Sequence, residues 1–173
     1  MENKQMRYLG VVGALALLAL TMPARGAEEI VVKMHMIGPD GIGKEIGEII
    51  VEDGDDGLTF EPRLSGLTPG MHGMHIHENP DCGSGMKDGV KVAGLAAGGH
   101  WDPNKASKHL GPKGAGHAGD LPELKVLANG TSTIDELVTA PNLLQDMVSK
   151  RAIIIHAGGD NYKDEPAPLG GGG

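Results

Sequence analysis

The chain has 173 residues and a formal net charge of −8, and only 2% of its residues are aromatic against 29 glycines and 11 prolines. The acidic balance argues against nucleic acid as a natural partner, because phosphate backbones bind basic surfaces. The length fits one domain, and the sequence shows neither internal repeats nor an interdomain linker.

Residues 1–26 are predicted to be a secretory signal peptide. Lys4 and Arg7 precede an apolar stretch from Leu9 to Met22, and small residues surround the expected cut after residue 26. The apolar stretch is too short for a membrane span of about 20 residues, and no cysteine stands at the cut to carry a lipid anchor. The mature domain is therefore predicted to span residues 27–173, without membrane association. Cleavage removes three basic residues and one acidic residue, which takes the net charge from −8 to −10.

Short aliphatic runs alternate with turn signals along the mature chain, which predicts an all-β sandwich or barrel. Asn129-Gly130 is a strong hairpin turn signal. Brief helical turns are expected at Ile134–Leu137 and Asn142–Lys150. The predicted strands are Ile30–Met36, Glu45–Val51, Leu58–Leu64, Met71–His77, Leu124–Leu127 and Ala152–His156.

A first group of histidines lies on two of these strands. His75 and His77 alternate in the manner of a strand, so both point to one face, with Cβ atoms about 7 Å apart. His156 follows Ala152–Ile155, an aliphatic run typical of a buried strand, which can deliver it to the same face. Three or four imidazoles in a tetragonal array suit copper.

A second group belongs to a long irregular segment. Residues 101–119 are rich in Gly, Pro, Lys and Asn and have neither a helical nor a strand period, and a loop of this length is unusual unless something pins it. His109, His117 and Asp120 supply three donors, and His100 at the entrance makes a fourth. This matches the tetrahedral nitrogen and oxygen set that zinc favours. The fold of the loop is then expected to depend on its metal.

The remaining histidines, His35 and His72, are expected to be ordinary surface or satisfied core residues. A histidine-rich segment also admits a plainer interpretation, which is loose metal binding without catalysis. Nine methionines invite a copper-chaperone interpretation, since thioethers favour reduced copper. They lack clustered spacing and are expected to fill core and surface positions instead.

Several stretches together resemble the copper/zinc superoxide dismutases of bacteria. No single motif is decisive, but they follow the family's order and cover nearly everything after residue 30. They are Gly73–Glu78, Gly98–Pro103, Lys108–Pro112, Gly116–Pro122 and His156–Tyr162, completed by Pro166–Leu169 and the glycines behind it. The resemblance implies a Greek-key β-barrel or sandwich with long metal-binding loops.

The resemblance also implies the metal ligands, position by position. Copper would be held by His75, His77, His100 and His156, and zinc by His100, His109, His117 and Asp120. His100 would therefore bridge the two metals. Asp160, four residues past His156, matches the family's aspartate that links a copper histidine to a zinc histidine and fixes their orientation.

The implied reaction converts superoxide to dioxygen and hydrogen peroxide by redox cycling of copper with a zinc-bridging histidine, as an antioxidant defence. The four copper histidines would be the catalytic residues, and the substrate would be guided by the local field. Lys87, in a Lys-Asp-Gly segment that resembles a feature of bacterial members, is the lysine favoured for this steering. The implied compartment is the periplasm, and the resemblance is compatible with a homodimer as well as a monomer.

In the family, a final strand follows the glycines and carries an arginine beside the copper and the second cysteine of a disulfide. This sequence stops at Gly173, so the strand, the arginine and the disulfide partner of Cys82 are expected to be missing. Two functions remain open. The complete ligand set favours the dismutase, and the missing strand favours a catalytically weak periplasmic copper- and zinc-binding protein of the same ancestry. A zinc hydrolase is least favoured, because it would want an open zinc position.

Overall fold

The computed structural model describes residues 28–54, 57–134 and 150–166. These residues form ten β-strands and one short 3-10 helix, Leu95–Ala97, and no α-helix occurs among them. No helix in these ranges is long and apolar enough to cross a membrane. The strands are β1 Glu28–Gly38, β2 Gly41–Gly54, β3 Gly57–Leu64, β4 Gly70–His72, β5 Met74–His77, β6 Gly85–Lys87, β7 Val90–Val92, β8 Leu124–Val126, β9 Ser132–Thr133 and β10 Ala152–Ile155.

The first three strands form one antiparallel sheet in chain order. Along β3, buried Leu58, Phe60 and Leu64 alternate with more exposed residues, as expected for a sheet with one face against the core. Gly47, with φ +128°, lies where the β1–β2 register shifts, and a Cβ there would overlap the Arg63 carbonyl oxygen. Only glycine fits this bulge. The three predicted strands of the sheet are confirmed, and each is longer than predicted.

The predicted strand Met71–His77 is wrong as a single strand, because it divides at Gly73. β4 pairs with β8, which also pairs with β9, whereas β5 pairs with β10. The reason lies in the backbone of Gly73. Its N–H donates to the Gly158 carbonyl oxygen at 2.8 Å, and its carbonyl oxygen accepts from the His156 N–H at 2.8 Å. The half of the predicted strand that carries His75 and His77 therefore lies in a different sheet from the half that carries His72.

β5 crosses the core, and every one of its residues is buried. Met74 and Ile76 are 0% exposed and belong to a buried cluster that includes side chains from the first sheet and from β8. Burial of an aliphatic side chain of this size contributes roughly 1.5–3 kcal/mol. The histidines that alternate with Met74 and Ile76 face the other side of the strand, so core packing fixes the strand that presents them.

Other connections show what local patterns did and did not predict. The hairpin predicted at Asn129-Gly130 is confirmed, since β8 and β9 pair across it and Gly130 has φ +84°. The β6–β7 hairpin was not predicted, because its Met86 and Val90 are exposed and give no alternating apolar pattern. Ile134, where a helical turn was expected, is not helical, and the rest of the two predicted turns lies outside the described residues apart from Lys150.

Candidate metal centre

Three histidines meet where β5 pairs with β10. In this antiparallel pair, His75 lies opposite Ile154 and His77 opposite Ala152, and His156 follows the last residue of β10. The ring centroids of His75 and His77 are 6.3 Å apart. The ring centroid of His156 lies 4.9 Å from that of His75 and 5.7 Å from that of His77. A strand distant in sequence thus brings a third imidazole to the pair.

The irregular loop 101–119 attaches at both ends to the other edge of β5. His77 forms an isolated antiparallel bridge with His100, and His75 forms one with Asp120. Between them, the Ile76 carbonyl oxygen accepts from the Trp101 N–H at 2.8 Å, and the Ile76 N–H donates to the carbonyl oxygen of residue 119 at 2.9 Å. One short strand therefore positions the entrance and the exit of the loop.

His100 stands between the strand histidines and the loop histidines. Its ring is stacked on that of His75, with centroids 4.0 Å apart, and lies 5.1 Å from that of His77. On the other side, its centroid lies 5.1 Å from that of His109 and 5.3 Å from that of His117. Its ring therefore contacts two histidines of the strand and two of the loop.

Asp120 lies at the centre of the loop group. Its Oδ1 is 3.0 Å from His100 Nδ1, 2.9 Å from His109 Nδ1 and 3.4 Å from His117 Nδ1. Its Oδ2 accepts two loop backbone N–H groups at 3.1 Å each, which holds the carboxylate in this orientation. In a tetrahedral zinc site with bonds of about 2.0 Å, neighbouring ligand atoms are about 3.3 Å apart. The observed separations are therefore close to those of a zinc ligand set.

Two groups of four side chains have their candidate ligand atoms within 4.8 Å of one another, and His100 belongs to both. The first group comprises His75, His77, His100 and His156. The second comprises His100, His109, His117 and Asp120. All seven residues named as metal ligands from the sequence are thus brought together, in the two sets that the resemblance implied.

The state of the ring nitrogens tests whether metals fit these groups. In the described part of the chain, the buried atoms His75 Nδ1, His77 Nε2 and His117 Nδ1 have no hydrogen-bond partner. The opposite nitrogens of His75 and His77 are engaged, by Asp160 at 2.6 Å and by the Gly98 carbonyl oxygen at 2.9 Å. Leaving a buried polar atom unsatisfied costs about 1–3 kcal/mol. A metal ion removes that cost, because it takes the lone pair that each of these imidazoles leaves unused.

Burial keeps the strand histidines neutral. It lowers the pKa of His75 to about 4, despite the opposing hydrogen bond to Asp160, and the nearby His100 and His156 add to the lowering. Burial likewise lowers the pKa of His77 to about 4, opposed by its bond to the Gly98 carbonyl. An imidazole must be deprotonated to bind a metal, so both rings are ready to do so at neutral pH.

The loop carboxylate is ionised for a different reason. Burial alone would raise the pKa of Asp120, but the hydrogen bond with His100 and the adjacent His109 imidazole hold it below its ordinary value. A buried anion surrounded by imidazoles fits a divalent cation.

Asp160 joins the two groups. Its Oδ2 lies 2.6 Å from His75 Nε2, and its two oxygens lie 2.7 Å and 2.9 Å from His109 Nε2. Burial would raise the pKa of this carboxyl, but the hydrogen bonds from His75 and His109 hold it well below its usual range. The side chain is 1% exposed. The structure places Asp160 between one histidine of each group, as the resemblance implied.

Two further aspartates support the loop and were not singled out from the sequence. Asp102 accepts the backbone N–H groups of Ala106 and Ser107 at 2.9 Å and 2.8 Å, and Asp164 accepts that of His109 at 2.8 Å. The Asp102-Pro103 pair is a turn signal that pointed to the first of these. Nothing in the sequence pattern marked Asp164, which is distant along the chain from its partner.

The other residues considered from the sequence lie outside both groups. Lys87 ends β6 and is exposed, and Cys82 is half-buried beside a small apolar cluster. His35 is exposed, with Nδ1 3.2 Å from the Gly43 carbonyl oxygen. His72 is 3% exposed, and its ring nitrogens lie 2.8 Å from two backbone carbonyl oxygens, so it is a core histidine placed between backbone groups.

Comparison with known proteins gives one family. Residues 46–173 match the family model described as copper/zinc superoxide dismutase. The chain is 47% identical over 169 residues to the Cu-Zn superoxide dismutase of Brucella abortus, which covers 97% of this chain and 95% of that protein. It is 45% identical over 163 residues to that of Escherichia coli K12, covering 92% of each. The solved structure of the Brucella abortus enzyme matches with a TM-score of 0.77 at 47% identity, over 84% of this chain and 94% of that one.

Proposed function

The chain belongs to the copper/zinc superoxide dismutase family and is a copper- and zinc-dependent superoxide dismutase, and from this premise we propose how its side chains divide between the two metals. The strand group takes copper, because it offers only imidazole nitrogens. The loop group takes zinc, because it adds a carboxylate in a tetrahedral set. The proposed copper ligands are His75, His77, His100 and His156, and the proposed zinc ligands are His100, His109, His117 and Asp120.

When bound, copper supplies the one-electron oxidation and reduction that convert two superoxide ions and two protons into dioxygen and hydrogen peroxide, and zinc supplies a fixed positive charge. The chain's own residues hold and deliver a proton. His100 Nδ1 faces Asp120 on the zinc side, which leaves Nε2 as its ring nitrogen for the copper side. In the proposed mechanism, His100 takes up a proton at Nε2 and gives it to the departing peroxide, while Asp120 keeps the ring in place.

The observation that carries this assignment is that His100 is the one side chain common to both four-residue groups. A protein that bound each metal independently would need no shared ligand. The shared imidazole explains why two sites of different chemistry lie side by side.

The test compares His100→Ala with His35→Ala in the chain loaded with copper and zinc. We expect the first variant to lose dismutation activity, measured by the rate of superoxide decay. It should also lose both metals or bind them more weakly, measured by metal content. The second should behave like the parent chain, because His35 is exposed and outside both groups. Far-UV circular dichroism establishes that each variant is folded. An active His100→Ala variant with two metals would overturn the bridging role.

The same measurement on the parent chain separates dismutase from metal-binding protein. Cyanide-sensitive activity with one copper and one zinc per chain supports the assignment. Two bound metals without activity would instead support the alternative, a catalytically weak copper- and zinc-binding protein of the same ancestry.

We also propose the finer features that family membership favours. The mostly β structure and its similarity to a solved relative support a closed Greek-key barrel. The leader-like composition of residues 1–26 supports export to the periplasm, with a mature domain from residue 27. Amino-terminal sequencing of the protein from a periplasmic extract tests the cut, and sedimentation equilibrium distinguishes the homodimer from the monomer, both of which the resemblance allows.

A further inference from the structure

The linking carboxylate of Asp160 is itself held in place by a closed cycle of three hydrogen bonds. The Asp160 N–H donates to Glu123 Oε1 at 2.8 Å. The Tyr162 N–H donates to Asp160 Oδ1 at 2.7 Å, and the Glu123 N–H donates to the Tyr162 hydroxyl oxygen at 3.0 Å. Backbone and side chain of each residue therefore take part, and no member of the cycle can turn without breaking a bond.

The cycle joins parts of the chain that regular structure does not connect. Glu123 lies immediately before β8, whereas Asp160 and Tyr162 lie in the irregular segment that follows β10. A Cβ at Gly159 would be 3.0 Å from Glu123 Oε1, so the glycine leaves the carboxylate room to approach the backbone this closely. Asp160 lies outside the strands of the described chain and so has no strand pairing to hold its backbone. The hydrogen bond from its N–H to Glu123 Oε1 holds the backbone at this point.

Tyr162 extends the cycle to the metal-binding loop. A Cβ at Gly111, which has φ +72°, would lie 2.7 Å from Tyr162 Cγ, so the aromatic ring lies directly against the loop backbone. The rings of Tyr162 and His109 have centroids 6.1 Å apart. The residue that orients the Asp160 carboxylate therefore also contacts the loop that carries a proposed zinc ligand.

We propose that Glu123 and Tyr162 are positioning residues that fix the Asp160 carboxylate, and through it the orientation of His75 and His109, although neither touches a metal. This inference rests on the metal assignment proposed above. Asp160 must serve His75 and His109 with its two oxygens at once, and a small rotation would lose one of them. Because an imidazole ligand binds well only when its other nitrogen is correctly partnered, the two metal affinities depend on this cycle.

The decisive comparison is Glu123→Gln against Glu123→Ala. The amide oxygen of Gln still accepts the Asp160 N–H, whereas Ala removes the acceptor. We expect Glu123→Ala to weaken zinc binding by about 10- to 100-fold, the usual effect of losing an outer-shell partner, and to change the electron paramagnetic resonance spectrum of bound Cu²⁺. Glu123→Gln should restore both the affinity and the spectrum. Tyr162→Phe, which removes one hydroxyl, should give a smaller change in the same direction.

Zinc affinity is measured by competition with a chelator, and a matched control is Glu61→Ala. Glu61 is exposed and accepts a hydrogen bond from Arg63 Nε at 2.9 Å on the first sheet, so its variant should bind both metals like the parent chain. Unchanged zinc affinity and copper spectrum in Glu123→Ala would overturn the inference. Equal losses in Glu123→Gln and Glu123→Ala would also overturn it, because the negative charge and not the hydrogen bond would then matter. If the parent chain itself bound neither copper nor zinc, the proposed function would be refuted instead.

Discussion

At the scale of single residues, the metal sites depend on which nitrogen of each imidazole is already engaged. His75 gives Nε2 to Asp160, and His77 gives Nδ1 to the Gly98 carbonyl, so the two rings offer different nitrogens from neighbouring positions on one strand. Two rings on one strand face need not present the same atom to converge on one ion. The hydrogen bonds made behind each ring set its tautomer, and hence the atom available to the metal.

His72 shows that a histidine outside the metal groups is still structurally important. Its Nδ1 lies 2.8 Å from the His156 carbonyl oxygen and its Nε2 2.8 Å from that of Thr68. We expect His72→Ala to lower the free energy of unfolding of the metal-free protein by about 2–4 kcal/mol, since it leaves a cavity and unsatisfied carbonyl groups. Urea unfolding measures this. His35→Ala is the control and should change stability by less than about 0.5 kcal/mol, and equal effects would contradict the argument.

Cys82 gives a prediction about pH that is independent of the metals. Burial raises the pKa of its thiol, and the charge of Asp81 raises it further. The thiolate is the reactive form, so alkylation should be slower than for an exposed cysteine at pH 8 and should reach half its maximal rate at a higher pH. Asp81→Asn should shift this midpoint downward. Its amide oxygen can still accept the Gly83 N–H that Asp81 Oδ1 accepts at 2.8 Å.

The unfolded chain in urea provides the reference for that experiment. There the thiol is solvated and should titrate with its ordinary pKa. A folded protein whose alkylation follows the same pH profile as the unfolded chain would contradict the predicted burial effect.

At the scale of elements, Gly119 is a position where the loop backbone lies directly against β5. A Cβ there would overlap the Ile76 carbonyl oxygen and lie 2.9 Å from the Trp101 backbone nitrogen. We expect Gly119→Ala to destabilise the protein by about 1–3 kcal/mol, the usual cost of overpacking, and to weaken zinc binding because both loop ends shift. Thermal unfolding with and without zinc measures both effects.

Gly38→Ala is the matched control for Gly119→Ala. Gly38 lies at the end of β1, its φ is not positive, and a Cβ there would meet no atom within 4 Å. Alanine at such a position removes flexibility from the unfolded chain and should be neutral or slightly stabilising. If the two variants unfolded at the same temperature, the steric argument at Gly119 would be refuted.

The elements also show what a sequence can and cannot predict. The strands of the first sheet could be predicted because apolar and polar residues alternate along them with a period of two. The metal ligands could be predicted from residue type, because few kinds of side chain bind copper or zinc. The division at Gly73 was not predicted, although Met71 and Met74 are three residues apart and the apolar alternation therefore changes phase at the glycine. Glu123 and Asp164 were missed because each accepts a hydrogen bond from a backbone N–H that is remote in sequence. Such hydrogen bonds leave no periodic trace.

At the scale of the whole molecule, a formal charge of −8 opposes the approach of an anionic substrate, so steering has to come from local positive charge. Lys87 is exposed at the end of β6. We expect Lys87→Gln to slow dismutation a few-fold at low ionic strength, with the difference vanishing near 0.1 M salt, where charges are screened beyond about 10 Å. Pulse radiolysis measures the rate. Lys33→Gln is the control, because Lys33 is paired with Glu48 at 2.7 Å on the first sheet, and equal slowing of both variants would refute local steering.

Metal removal connects the sites to the stability of the whole molecule. Residues 101–119 contain no helix and no strand and are held at their ends by β5 and in the middle by Asp102, Asp120 and Asp164. Without zinc, unsatisfied imidazoles crowd around the Asp120 carboxylate, so the loop should open locally at a small cost in free energy. We expect its backbone amides to exchange hydrogen much faster in the metal-free protein, whereas those paired between β1 and β2 keep their protection.

Zinc alone should reverse this change, because every proposed zinc ligand except His100 lies on the loop or directly behind it. Binding to the folded state adds about 2.7 kcal/mol of stability at a zinc concentration 100 times the dissociation constant. Hydrogen exchange at the loop amides should become slower accordingly. Hydrogen exchange followed by mass spectrometry gives the comparison, with His117→Ala as the variant that zinc fails to protect. If the loop of the parent chain exchanged at the same rate with and without zinc, its fold would not depend on the metal, and the backbone bonds from the aspartates would suffice to hold it.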